Sequence, residues 1–158
     1  MCEYCGCQAL TAIDELTREH DLVVRLISQV RSAAVASDTP RMAELARGIT
    51  AVLGPHTQVE EDGLFPVLEA DFPEHLAVLR AEHRSVEAVL DEASAGTPAD
   101  PDWPDRLTEA LSLLREHILQ EQDGVVPAAL ANLATSRWEA IEDVPGKAGF
   151  MLSQPQVG

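Results

Sequence analysis

Two histidine–glutamate pairs stand out for the chemistry they could do. His56-Thr-Gln-Val-Glu60-Glu61-Asp62-Gly63-Leu64-Phe65-Pro66 returns as His117-Ile-Leu-Gln-Glu121-Gln122-Asp123-Gly124-Val125-Val126-Pro127. In each copy an imidazole and a carboxylate stand four residues apart, followed by a glycine, two apolar residues and a proline. On a helix, positions i and i+4 share a face one turn apart, so each pair can point at one spot as a two-toothed metal ligand. One such pair alone reads as a surface or satisfied-core contact; its repetition argues for a site. Two further histidines, His20 and His83, each precede a copy, and Glu87 stands four residues after His83.

The elements that would position these residues follow from periodicity. Ile13, Leu16, Val23, Val24, Ile27 and Val30 recur at helical spacing from about Leu10 to Ala36, with His20 in the stripe. Thr11 and Asp14 resemble an acidic capping box at the start of this helix. Pro40 opens a second helix to about Leu68, whose stripe contains His56 and Glu60; Gly54-Pro55 predicts a local kink or widening. A third helix from Asp71 to about Ala95 has His83 and Glu87 on its apolar face. After a Pro- and Asp-rich loop over 96–104, a fourth carries His117 and Glu121 and fades near Asn132. Ser136 and Glu139 predict a cap for a short fifth helix, and the chain ends in a tail over 143–158.

This is an all-α pattern: an up-down-up-down four-helix bundle over 10–142, with a cysteine-containing arm over 1–9. The register supports a shared site. His20 lies about 16 residues before the first turn and His56 about 16 after it, and the other helix ends agree as closely. His20, His56, Glu60, His83, Glu87, His117 and Glu121 would then meet in one layer, and burying them without compensation would cost several kcal/mol per charged group. Metal ions supply that compensation. Seven donors exceed one tetrahedral zinc and suit two ions bridged by carboxylates, and the mixed imidazole and carboxylate set favours iron. Glu19, Glu82 and Glu116 each precede a site histidine but lie about 100° round the helix, as solvent-facing or supporting groups.

Composition bounds the rest. A formal charge of −16 argues against nucleic acid or an anionic membrane as partner. No apolar run approaches the roughly 20 residues that span a bilayer, and the expectation is a cytoplasmic protein. Cys2, Cys5 and Cys7 all fall in the first seven residues, so none can staple the body of the fold. With His75, which the topology would bring to the same end of the bundle, they form a candidate Cys3His site for zinc or iron; the alternative is a flexible arm with free thiols.

His20, His56-x3-Glu60, His83 and His117-x3-Glu121, with the Glu-Asp-Gly-Leu-Phe-Pro run, resemble the bacterial hemerythrin-like domain, also called the HHE cation-binding domain. The resemblance implies a non-haem di-iron centre, oxo- or hydroxo-bridged. His20 and His56 would serve one iron, His83, Glu87 and His117 the other, and Glu60 and Glu121 would bridge. Invertebrate oxygen-carrying hemerythrins have a histidine at the position of Glu87, and an aspartate at the five-residue spacing where this chain has Gln122. A more anionic second site would favour the ferric state and argues against simple reversible oxygen carriage. The expected ligands are hydrogen peroxide or a small diatomic, in detoxification by a catalase- or peroxidase-like reaction. The other readings are a binding, storage or sensing module for oxygen, nitric oxide or iron, and an iron donor for cluster repair.

Overall fold

The computed structural model describes the backbone of residues 3–128 and the side chains of residues 14–128. All regular structure among the described residues is helical. Helix α1 spans Glu3–Val35, α2 Thr39–Val59, α3 Phe65–Leu68, α4 Pro73–Asp91 and α5 Trp103–Gln120. A π-helical turn, Glu60–Leu64, joins α2 to α3, and a second, Glu121–Val125, continues α5. The described chain is thus four rods.

The rods form a ring in which α1 packs on α2, α2 on α4, α4 on α5 and α5 on α1. Contacts across the ring run antiparallel. Arg31 of α1 reaches Ser112 of α5 while His20 meets Gln122 just beyond it, and Arg47 of α2 bonds the Ala93 carbonyl while Glu61 meets His83. Short connections enforce this order. Between α1 and α2, Ser37 takes a left-handed conformation (φ 55°), and the Asp38 side chain accepts from the Arg41 N–H as the cap of α2. Pro40, Pro73 and Pro104 each sit in a first helical turn, where the missing N–H costs nothing.

Two apolar clusters fill the interior. The larger contains Ile27, Met42, Ile49, Leu90, Leu107 and Trp103, whose indole N–H donates to the Val89 carbonyl. The smaller contains Leu16, Val59, Leu64, Phe65, Leu68, Leu76, Leu79 and Val125. On every rod a buried polar residue falls between the two clusters in sequence, at His20, His56, His83 and Glu121, and Glu60 and His117 are buried one turn away. No helix among the described residues is long and apolar enough to cross a membrane.

Three local expectations are revised. Helix α1 begins at Glu3 rather than near Leu10, so the Thr11–Asp14 start signal falls inside a continuing helix. Helix α2 runs through Pro55, and the widening comes at Glu60–Leu64 instead. The loop after α4 ends by Trp103, which is wholly buried and draws the start of α5 inward. Cys2, the side chains of Cys5 and Cys7, the predicted fifth helix and the tail lie outside the described residues.

Candidate metal centre

Six of the seven predicted ligands come together. His20, His56, Glu60 and Glu121 each offer a donor atom within 4.8 Å of the others, and so do Glu60, His83, His117 and Glu121. The two groups share both glutamates. Imidazoles pair within each half: the His20 and His56 ring centres are 4.6 Å apart, and those of His83 and His117 4.4 Å. Within each i, i+4 pair His56 Nε2 lies 2.9 Å from Glu60 Oε1 and His117 Nε2 2.7 Å from Glu121 Oε1. His20 Nε2 stands 3.6 Å from Glu60 and 3.7 Å from Glu121, and His83 Nε2 3.4 Å from Glu60.

Helix geometry explains the convergence. The i, i+4 spacing sets each His-Glu pair on one face, and each glutamate opens a π turn that presents the following residue to the interior as well. Glu61 thereby reaches His83 Nδ1 at 3.0 Å, and Gln122 approaches His20 Nδ1 at 3.4 Å. Glu82 accepts from His117 Nδ1 at 2.7 Å, and Glu19 lies 3.4 Å from His56 Nδ1, too oblique for a hydrogen bond. All four histidines therefore turn Nε2 inward and Nδ1 toward a supporting side chain, the usual orientation of a metal-binding imidazole. Sequence reasoning placed Glu19 and Glu82 beside the site without assigning their partners, and it missed Glu61 and Gln122. The signal available was the Glu/Gln directly after each second ligand, in both copies of the repeat. Glu116 is exposed.

Glu87 is the exception among the predicted ligands. It joins neither group; its side chain is 32% exposed and pairs with Arg84 at 3.5 Å. The reason is angular. The buried stripe of α4 is Leu76, Leu79, His83, Val86 and Leu90, and on an ideal helix His83 lies about 20° from its middle but Glu87 about 60°. His75 is exposed in the first turn of α4 and borders an apolar cavity of about 230 Å³ with Phe72, Leu76 and Val125.

The electrostatics are those of a site prepared for cations. Burial pushes the His56 imidazolium down, but Glu60 and Glu19 outweigh it and raise it to about 10. His83 is raised too, burial being outweighed by Glu60 and Glu61. Burial and the neighbouring His83 lower His117. Burial opposes ionisation of Glu60, but His56 above all holds it low; burial and the charge of Glu60 drive Glu121 well above the carboxylate range. Of the two buried carboxyls that meet here, Glu121 is thus the one on which a proton is favoured in the metal-free site. His20 Nε2, His117 Nε2, Glu60 Oε2 and Glu121 Oε2 are buried without a hydrogen-bond partner, His117 despite its short approach to Glu121. Buried polar atoms are rarely left so, and these converge on the volume where cations would complete them. The donor set, imidazole nitrogens and shared carboxylates, fits a pair of iron ions.

No solved structure matches the chain. A protein of Nostoc sp. (strain PCC 7120 / SAG 25.82 / UTEX 2576) named DNA nickase is 23% identical over 133 residues, which are 84% of this chain and 37% of that protein. The chain therefore spans little more than a third of that relative's length. The hemerythrin HHE cation-binding domain matches residues 11–129, a span that takes in every histidine and glutamate of the two groups. With its ligand pattern, its helical bundle and that match, this chain belongs to the hemerythrin HHE cation-binding domain family.

Proposed function

We propose that the protein is a non-haem di-iron protein whose centre reacts with hydrogen peroxide or oxygen, peroxide removal being the favoured role. The observation that carries this reading is the sharing of Glu60 and Glu121 between two four-residue groups, which suits two ions held side by side. When bound, iron supplies redox chemistry and Lewis acidity to a small oxygen ligand. The chain's own residues do the rest. His20, His56, His83 and His117 would hold the metal through Nε2, while Glu61 and Glu82 fix the rings of His83 and His117, Gln122 approaches His20 and Glu19 lies beside His56. Ile27, Val86 and Leu114 are buried in the larger apolar cluster on one side of the polar layer, with Val24 packed partly buried against it, an aliphatic surrounding suited to a small ligand.

The nucleic-acid activity in the relative's name is not extended to this chain, whose formal charge of −16 opposes binding to a polyanion. The placement of Glu87 removes one argument against reversible binding, since no extra carboxylate from α4 joins the second group. A binding or sensing role without turnover is therefore the second reading.

One experiment separates the two. The protein is loaded anaerobically with ferrous iron and exposed to oxygen while its visible spectrum is followed. Peroxide is then added and gas evolution measured. Rapid peroxide consumption supports the enzyme; a long-lived spectral change without turnover supports binding. Uptake of fewer than about two irons per chain would overturn the premise of both.

A further inference from the structure

We propose that the two halves of the centre take metal unequally, the His83–His117 half first, because Glu61 backs His83 with a carboxylate where Gln122 backs His20 with an amide. The inference rests on the metal-pair reading above. Both halves have two imidazoles and both share Glu60 and Glu121, so the ligands themselves do not discriminate between them. The residues behind the imidazoles do.

In the His83–His117 half, both Nδ1 atoms meet carboxylates at short range, 3.0 Å to Glu61 and 2.7 Å to Glu82. The same Glu61 oxygen accepts from Arg84 Nη1 at 3.0 Å, and its other oxygen accepts from Arg84 Nη2. Arg84 withdraws some charge from Glu61, but it holds that side chain oriented, with an oxygen toward His83. In the neutral ring the proton of His83 is therefore kept on Nδ1 by Glu61, which turns the Nε2 lone pair toward the glutamates. In the His20–His56 half both partners stand back at 3.4 Å, and one of them, Gln122, is neutral. Gln122 presents its amide nitrogen to His20 Nδ1. An N–H donated there would leave the ring proton on Nε2, the atom that must bind metal, so the amide has to turn over and offer its oxygen. The position after His20, matching that of Arg84 after His83, is occupied by exposed Asp21, which supplies no cation. Charged hydrogen bonds are about twice as strong as neutral ones, and groups supporting a ligating histidine typically change metal affinity about 10–100-fold. Distance and charge both favour the same half.

Glu61 and Gln122 are positioning residues, and their test reads metal distribution rather than turnover. Metal-free protein labelled with 15N-histidine is titrated anaerobically with Co(II), while paramagnetic NMR reports which imidazoles are perturbed. At one equivalent His83 and His117 are expected to shift, with the second ion binding about 10-fold or more weakly. Glu61→Gln lowers the first step toward the second, and Gln122→Glu raises the second toward the first, with helicity checked by circular dichroism. Equal perturbation of His20 and His56 at one equivalent overturns the proposal, as does an order that neither substitution changes. Total uptake below two ions would instead overturn the metal-pair reading, so the two failures are distinguishable.

Discussion

Glu121 concentrates the cost of the centre: it is 1% exposed, sits beside Glu60, and is driven to keep a proton. His56, raised to about 10, keeps one as well. Metal donors must give up those protons, so loading near about pH 7 should release protons, and apparent affinity should climb as pH rises toward about 9. Weakly buffered titration with an indicator dye measures both. The metal-free fold has the opposite dependence. A folded-state pKa raised above the ordinary 6.5 contributes stability that is fully present below about 6.5 and is lost as pH rises through about 10. Metal-free protein should thus melt lower at about pH 9 than at about pH 6, in a thermal scan. Substitution separates ligand from bystander. His56→Ala should lower iron content, whereas Glu87→Gln should leave it unchanged, by elemental analysis. The four histidines and the two shared glutamates were legible because a helical stripe and a common height fix where a side chain points. Glu87 was misplaced because an i+4 spacing does not say where the middle of the stripe lies. Glu61 and Gln122 escaped notice because a position five residues after a ligand faces inward only where the helix widens.

Among elements, α5 shows best how local signals set the frame. Its start is pinned by Trp103, wholly buried and hydrogen-bonded to Val89 of α4. Trp103→Ala leaves a large cavity and an unpaired carbonyl, and should cost about 3–5 kcal/mol in a urea unfolding series. The α1–α2 turn contributes less. Asp38→Ala removes the cap on the Arg41 N–H and should cost about 1 kcal/mol by the same measurement. Helix number, order and turns could be read from the sequence, since Pro at first-turn positions and apolar periodicity are strong signals. The π turns could not, because their cause is tertiary: each is held by the inward demand on two consecutive side chains, and propensity does not encode it.

On the scale of the whole molecule, the chain is close to a repeat. The Glu19-His20, His56-x3-Glu60 hairpin is echoed by Glu82-His83, His117-x3-Glu121, and the shared glutamates lie where the hairpins meet. Each hairpin orients its own second imidazole, Glu19 beside His56 and Glu82 beside His117. The partner of the first imidazole comes from the other hairpin, Glu61 for His83 and Gln122 for His20. Neither half can build its site alone.

The separation of the interior into two apolar clusters by the polar layer bears on how the molecule opens. Without metal, the histidine and glutamate layer is a seam of buried polar atoms lacking hydrogen-bond partners, between the larger cluster and the smaller one around Phe65 and Leu76. The smaller cluster then has less to anchor it and should open sub-globally ahead of the rest. Amide protons from Leu64 to Leu79 should exchange with deuterium faster than those around Trp103 and Leu107 in metal-free protein. Saturating metal should bring the two rates together, because ligands drawn from all four rods tie the clusters into one cooperative unit. Metal content would then govern not only reactivity but how much of the bundle a protease can reach.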